Sequence, residues 1–326
     1  MRFPSRIEAK YYGVAAKDAA EVASSTSGGV ASVLARWVIA KGGVVFGAAF
    51  DPFPIVRHIR VEDDSGVERL KGSKYVESNI KDAIIEAVKL LRVGRKVLFI
   101  GLPCQIAALY AKLGGDVENL VSVDLICHGK PPQKLFTHWV SELERKLCVP
   151  ITNYWFRNKR GCRWKDTRTF IHYIERDDGR QIPIPAKWNW YGRYFLGNAS
   201  FMEGCYKCPF AKTPRIADLT CGDFWGAEND QRFAQYMELG LSLVSVQSEK
   251  GAELLREVAG MADILPVESS FALKCNRQIT QHSKRPIYRS VLFWFIYAPS
   301  PIRKFCDALL FGPMRLLRWL VKRVYR

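Results

Sequence analysis

An α/β (α+β) fold is predicted for this chain of 326 residues, with an N-terminal, mostly parallel α/β layer and a second mixed domain carrying a cysteine-rich loop. Three observations predict it. Residues 97–101 and 120–126 are short, nearly continuous apolar runs, as in strands buried on both faces of a parallel sheet. Each is followed by a helical apolar period, at 105–112 and 133–146, and such alternation builds parallel layers. Beyond Pro150 the texture shifts to alternating strands and to loops rich in Trp, Arg and Cys.

The elements follow in order. Residues 8–15 read as a strand. Ser24-Ser-Thr-Ser-Gly-Gly29 is a polar loop, and a helical period runs over 30–40 until Lys41-Gly-Gly43 stops it. Residues 44–50 form a strand that pairs with 56–61 as a hairpin. Lys71-Gly-Ser-Lys-Tyr75 is a basic loop, and 80–91 is an amphipathic helix. In the second half, 167–175, 181–184 and 241–246 read as strands. The expected division is 1–150 for a cofactor-binding α/β domain, 151–290 for a mixed domain and 291–326 for a basic amphipathic tail. From residue 301 onward this tail holds seven Lys/Arg against Asp307, with a stripe of Leu309, Leu310, Leu316, Leu317, Leu320 and Val321. A stripe of that kind suits a docked surface helix or contact with a membrane surface.

Composition narrows the class. A hydrophobic content of 48% supports a packed core rather than disorder, and a formal net charge of +17 favours anionic partners. Nine cysteines with no apolar signal core at Met1-Arg-Phe-Pro-Ser-Arg argue for a reducing cytosol, where clustered thiols serve metals better than disulfides. The expected location is cytoplasmic, with peripheral contact at the inner membrane face. The apolar run 291–298 is too short to span a bilayer.

Four segments carry the chemistry. Cys205-Tyr-Lys-Cys208-Pro holds two thiols at a spacing that lets them grip one soft metal centre. Gly101-Leu-Pro-Cys104-Gln follows a buried strand and opens a helix, where a cysteine gains thiolate character. Asp124-Leu-Ile-Cys127-His128-Gly129 ends the next strand and should reach the same edge. Asp218-Leu-Thr-Cys221-Gly-Asp-Phe-Trp-Gly226 offers a further thiol. Ser24, Ser25, Thr26, Ser27, Gly28 and Gly29 stand where a helix begins, as in an anion site or an ordinary cap. Lys71, Ser73, Lys74 and Tyr75 combine cations, a hydroxyl and a ring, which suits a cofactor with phosphate and an aromatic group, or a solvated turn. The run from Trp155 to Arg168 mixes Arg and Lys with aromatics, but no nucleic-acid fold motif accompanies it, so no nucleic-acid partner is expected.

Taken in this order, with Phe156-Arg-Asn-Lys159 between them, these motifs resemble the coenzyme F-420 hydrogenase/dehydrogenase beta subunit family. That family includes plant 7-hydroxymethyl chlorophyll a reductase and bacterial members linked to polysaccharide loci. The resemblance covers about residues 10–280. It implies an FAD-binding iron–sulfur oxidoreductase that passes electrons between a 4Fe–4S cluster, FAD and a hydride carrier, coenzyme F-420 or NAD(P)H, or a small-molecule substrate. Carried over, the two polar loops are the FAD elements. Cys205 and Cys208 are cluster ligands, and Cys104 and Cys127 are chosen as the other pair, with Cys221 as rival. His128 is the candidate proton donor. Two departures stand out. There is no ferredoxin-like cysteine segment, so an external donor (ferredoxin or a reduced coenzyme) is expected. His128-Gly129 is followed by Lys-Pro-Pro-Gln, where relatives often have Pro-Ser. The rival classes are a glycan- or nucleotide-binding protein with structural zinc, and a cysteine hydrolase or transferase built on Cys104 and His128.

Overall fold

The computed structural model describes residues 6–164, 166 and 170–290. The tail beyond 290, Lys165, and residues 167–169 of the strand expected at 167–175 lie outside them. The chain begins with β1 (Arg6–Ala16), α1 (Ala19–Ser24) and α2 (Val30–Ala40). There follow β2 (Val44–Phe50), β3 (Val56–Val61), α3 (Asp64–Leu70) and α4 (Lys81–Arg92). Next come β4 (Val97–Gly101), α5 (Pro103–Leu113), β5 (Leu120–Leu125) and α6 (Gln133–Leu147). A small antiparallel sheet is formed by β6 (Ile151–Trp155), β7 (Tyr173–Arg176) and β8 (Gln181–Pro183), and is followed by α7 (Trp190–Leu196). The chain closes with β9 (Leu219–Asp223), β10 (Ser242–Ser248), α8 (Glu249–Glu257), β11 (Ala262–Val267) and α9 (Ser269–Lys274).

The large sheet has eight strands in the order β11-β1-β10-β9-β5-β4-β2-β3. Its centre, β2-β4-β5-β9, is parallel. Both flanks are antiparallel: β3 pairs with β2, and β10, β1 and β11 extend the other side. The expected parallel layer is therefore the core of a mixed sheet. The change of texture near residue 150 coincides with the start of the small sheet, yet β9, β10 and β11 return from beyond it to the large one.

Alternation along the strands sends side chains to two covered faces. Val45, Leu98, Val121 and Val244 pack with α2 and α8 on one face. Val44, Phe46, Val97, Phe99 and Leu120 pack with α4 and α5 on the other. Each fully buried Val or Leu contributes roughly 1.5–3 kcal/mol, so the two faces hold the sheet from both sides. Local signals fix the helix ends that matter for the site. Pro103 opens α5, and the Gln105 side chain accepts the Leu102 N–H at 2.8 Å, so Cys104 is set in the first turn. Gly29 precedes α2 with φ 80°, a left-handed conformation that suits glycine. An aromatic core of Trp139, Trp190, Tyr154, Phe156, Tyr191 and Tyr194 joins α6 and α7 to the small sheet. No helix among the described residues is long and apolar enough to cross a membrane.

Candidate redox site

The parallel strands β4 and β5 end at Gly101 and Leu125, and the thiols of Cys104 and Cys127 lie just past these ends. The turn Glu203–Lys207 brings Cys205 and Cys208 to the same edge. Its anchor is backbone pairing: the Met202 N–H donates to the Lys130 carbonyl at 3.0 Å. Tyr206, between the two sulfurs, donates to the Asn198 carbonyl and accepts from Arg289 Nε at 3.0 Å. The turn 128–130 can come this close because residue 129 is glycine. Its φ is 136°, and a Cβ there would meet the Phe201 ring at 2.4 Å.

Cys104, Cys127 and Cys205 each respond to other thiols of the set. Burial raises the pKa of Cys104, the Lys130 charge lowers it, and Cys208 and Cys205 raise it further. Burial pushes Cys127 up to about 12, opposed by the Gly129 backbone and reinforced by Cys104, Cys205 and Cys208. Burial also raises Cys205, while the backbone and charge of Lys130 pull it down. Cys221 is elsewhere. It sits within β9, is 3% exposed, packs in the core under α2 and α8, and is raised by burial and by Asp124. The structure therefore brings Cys104, Cys127, Cys205 and Cys208 together and leaves Cys221 in the sheet. Among the described residues, no three His, Cys, Asp or Glu side chains are arranged to hold a single metal ion. One tetrahedral ion needs its sulfurs within roughly 4 Å of each other. A cubane cluster attaches each ligand to a different iron and accepts a wider ring, and all four candidates here are cysteines, the usual donors to such a cluster.

His128 adjoins this ring. Its Nδ1 contacts Gln278 Nε2 at 3.2 Å, and its ring packs against Phe195 and Phe201 with centroids 5.6 and 5.4 Å away. Burial lowers its pKa, with an Asn198 hydrogen bond opposing, so the neutral imidazole is favoured.

The two polar loops meet. The Ser73 N–H donates to Thr26 Oγ1 at 3.1 Å, and Lys71 Nζ donates to Ser24 Oγ at 3.0 Å while pairing with Glu21 at 3.0 Å. Lys74 Nζ donates to the carbonyls of Arg69, Leu70 and Lys71 at 3.1, 2.9 and 2.7 Å, closing the C-terminus of α3. Burial brings its pKa down to about 7. Ser27 Oγ donates to the Leu241 carbonyl at 2.8 Å, and Gly28 is buried against β1 and β10. Ser25 Oγ lies 3.5 Å from Ser32 Oγ. No side chain caps α2 at Gly29, so the start of this helix suits an anion. A phosphate there would share Lys71 with Glu21.

The Tyr75 ring stacks on Phe195 at 4.1 Å, and Phe195 contacts His128, so one aromatic wall joins the loops to the thiol edge. Two surface grooves, of about 510 and 310 Å³, are lined by residues around Arg60 and none of the candidate residues. Sequence reasoning did not single out Glu77, Phe195 or Phe201, and it noted Lys130 only as the first residue of a departure. Arg157, ion-paired with Asp223, and Lys159, bonded to the carbonyls of Val22 and Ser27 at 2.6 Å each, were read as part of a basic run and of the Phe156-Arg-Asn-Lys159 motif, with no site role given to either.

A family model describing the C-terminal part of the coenzyme F420 hydrogenase/dehydrogenase beta subunit matches residues 94–269. Among solved structures, the chain is similar to one in a xenon-derivatized F420-reducing NiFe hydrogenase complex from Methanosarcina barkeri. The two are 17% identical with a TM-score of 0.55, over 86% of this chain and 90% of that one. At this identity the likeness is one of fold. No curated protein matches the chain.

Proposed function

The chain belongs to the coenzyme F420 hydrogenase/dehydrogenase beta subunit family, and from that premise we propose that it is an iron–sulfur flavoprotein oxidoreductase. Cys104, Cys127, Cys205 and Cys208 hold a 4Fe–4S cluster. The Ser24–Gly29 and Lys71–Tyr75 loops hold FAD. A cluster moves electrons singly and a flavin exchanges a hydride, so together they connect a one-electron donor to a hydride carrier such as coenzyme F-420 or NAD(P)H, or to a small substrate. The observation that carries this reading is the convergence of thiols from three separate segments past the ends of β4 and β5, near enough for Cys205 and Cys208 to act on Cys104 and Cys127.

The chain's own residues have definable tasks. The first turn of α5 favours the Cys104 thiolate through its helix dipole. The Gly129 and Lys130 backbones hydrogen-bond to Cys127 and Cys205 and stabilise negative sulfur. Lys71 and the uncapped start of α2 bind the anionic part of the flavin. Tyr75 and Phe195 exclude water between the two regions and fix their separation. Neutral His128 holds a proton beside the thiol edge. The solved relative is part of a hydrogenase complex, which supports an external electron-carrying partner, a ferredoxin or a reduced coenzyme.

The test is anaerobic purification of the full chain, with iron, acid-labile sulfide and flavin measured. The expected protein is brown-yellow with matched iron and sulfide. Cys205→Ser should lose the iron and keep the flavin. A colourless wild type holding zinc would overturn the reading in favour of a structural metal.

A further inference from the structure

Lys130 follows the Cys127-His128-Gly129 turn, and its charge acts on two of the four thiols, Cys104 and Cys205. Its place is fixed three ways. Its carbonyl accepts from the Met202 N–H at 3.0 Å, which ties it to the Cys205–Cys208 turn. Its Nζ lies 3.1 Å from Glu77 Oε1, with the two side chains 20% and 32% exposed. The Glu77 N–H donates to the carbonyl of Pro131 at 2.7 Å, so the acid is clamped to the same turn by backbone as well as by charge. The pair is lopsided. Lys130 acts on the sulfurs directly, and Glu77 acts on Lys130.

We infer that Lys130 and Glu77 form an opposed charge pair that sets the reduction potential of the group held by the four cysteines, Lys130 raising it and Glu77 limiting the rise. This rests on the proposed function. Reduction adds one electron, and hence one negative charge, to the sulfur-ligated group. A nearby cation favours that added charge, and net charge and hydrogen bonding around the sulfurs are known controls on such potentials. Glu77 draws part of the Lys130 field away. Both residues are positioning residues in this scheme, because neither ligates.

The test is a dithionite titration of the anaerobic full chain, followed by electron paramagnetic resonance, with iron measured in parallel. Lys130→Gln should disfavour the reduced form by about tenfold, which is about 59 mV for one electron. Lys130→Arg should stay near wild type. Glu77→Gln should move the potential the opposite way, upward. Opposite signs are the signature, since mere loosening of the turn would not reverse direction between the two variants. A Lys130→Gln protein with full iron and an unmoved potential overturns the inference and leaves the cluster reading intact. So do two variants that shift in the same direction. If Lys130→Gln loses its iron, Glu77→Gln decides: a raised potential supports the pair, an unmoved one overturns it. Wild type without iron overturns the cluster reading and this inference together.

Discussion

The thiol edge and the paired polar loops are built on opposite principles. At the thiol edge, burial and neighbouring thiols make Cys104, Cys127 and Cys205 harder to ionise, with backbone hydrogen bonds and the Lys130 charge on the other side of the balance. In the polar loops almost every donor already has an acceptor. Lys71 has Glu21 and Ser24, Lys74 has three carbonyls, Ser73 has Thr26 and Ser27 has Leu241. A repulsive cluster is relieved by a cationic inorganic group, so binding there should be tight and should couple to stability. A satisfied network gains little from a new partner, so binding there must trade one hydrogen bond for another and should be weaker and easier to disturb.

The sharpest way to break this comparison is at the sulfurs. Cys104→Ala or Cys127→Ala should remove most of the iron, as measured by metal analysis, with flavin content held. Next in size is Gly28→Ala. An added Cβ would lie 2.3 Å from the Val14 carbonyl oxygen and 2.8 Å from the Ser242 nitrogen, both backbone atoms that cannot swing aside. We expect a loss of about 3 kcal/mol in denaturant unfolding, with or without flavin present. An effect seen only with flavin bound would instead assign Gly28 to ligand contact.

A third test uses acid. His58, bonded to Ser78 Oγ and the Ile100 carbonyl, has its pKa lowered to about 4 by burial, and His172, bonded to Tyr154, to about 3. Unfolded, each titrates near 6.5. Below that value the unfolded state takes up protons that the folded state refuses, so stability is full above pH 6.5 and is lost as pH falls toward 4. Between pH 7 and 5.5 each histidine should cost roughly 1 kcal/mol, and His58→Asn should flatten the pH slope measured by urea unfolding. The smallest effect belongs to Cys221→Ala: about 1 kcal/mol from a small core void, with iron content unchanged. Iron loss in that variant would return Cys221 to the ligand set.

Strong local periodicity made much of the fold readable. The helix at 30–40 and the strands at 44–50, 56–61 and 97–101 stand where their apolar spacing placed them. The strands expected at 8–15 and 241–246 stand as β1 and β10, but β9 was not readable as a strand. Leu219-Thr-Cys-Gly-Asp presents as a cysteine motif and is also β9, because pairing with β5 and β10, set by distant residues, outweighs its weak strand propensity. The two-residue gap between Cys205 and Cys208 announced a shared loop. That Cys104 and Cys127 meet this loop followed only from both ending parallel strands, and nothing local separated them from Cys221. Lys130 carried no motif of its own, and its meaning comes from Gly129, Phe201 and Glu77 around it.

β1 lies between β10 and β11, so once synthesised this strand waits for partners more than 200 residues downstream. At bacterial or eukaryotic synthesis rates of about 5–20 residues per second, that is tens of seconds with two unpaired edges. This protein should therefore lean on chaperones during its synthesis, and truncation before residue 242 should leave a sticky, aggregation-prone nascent chain rather than a smaller soluble one.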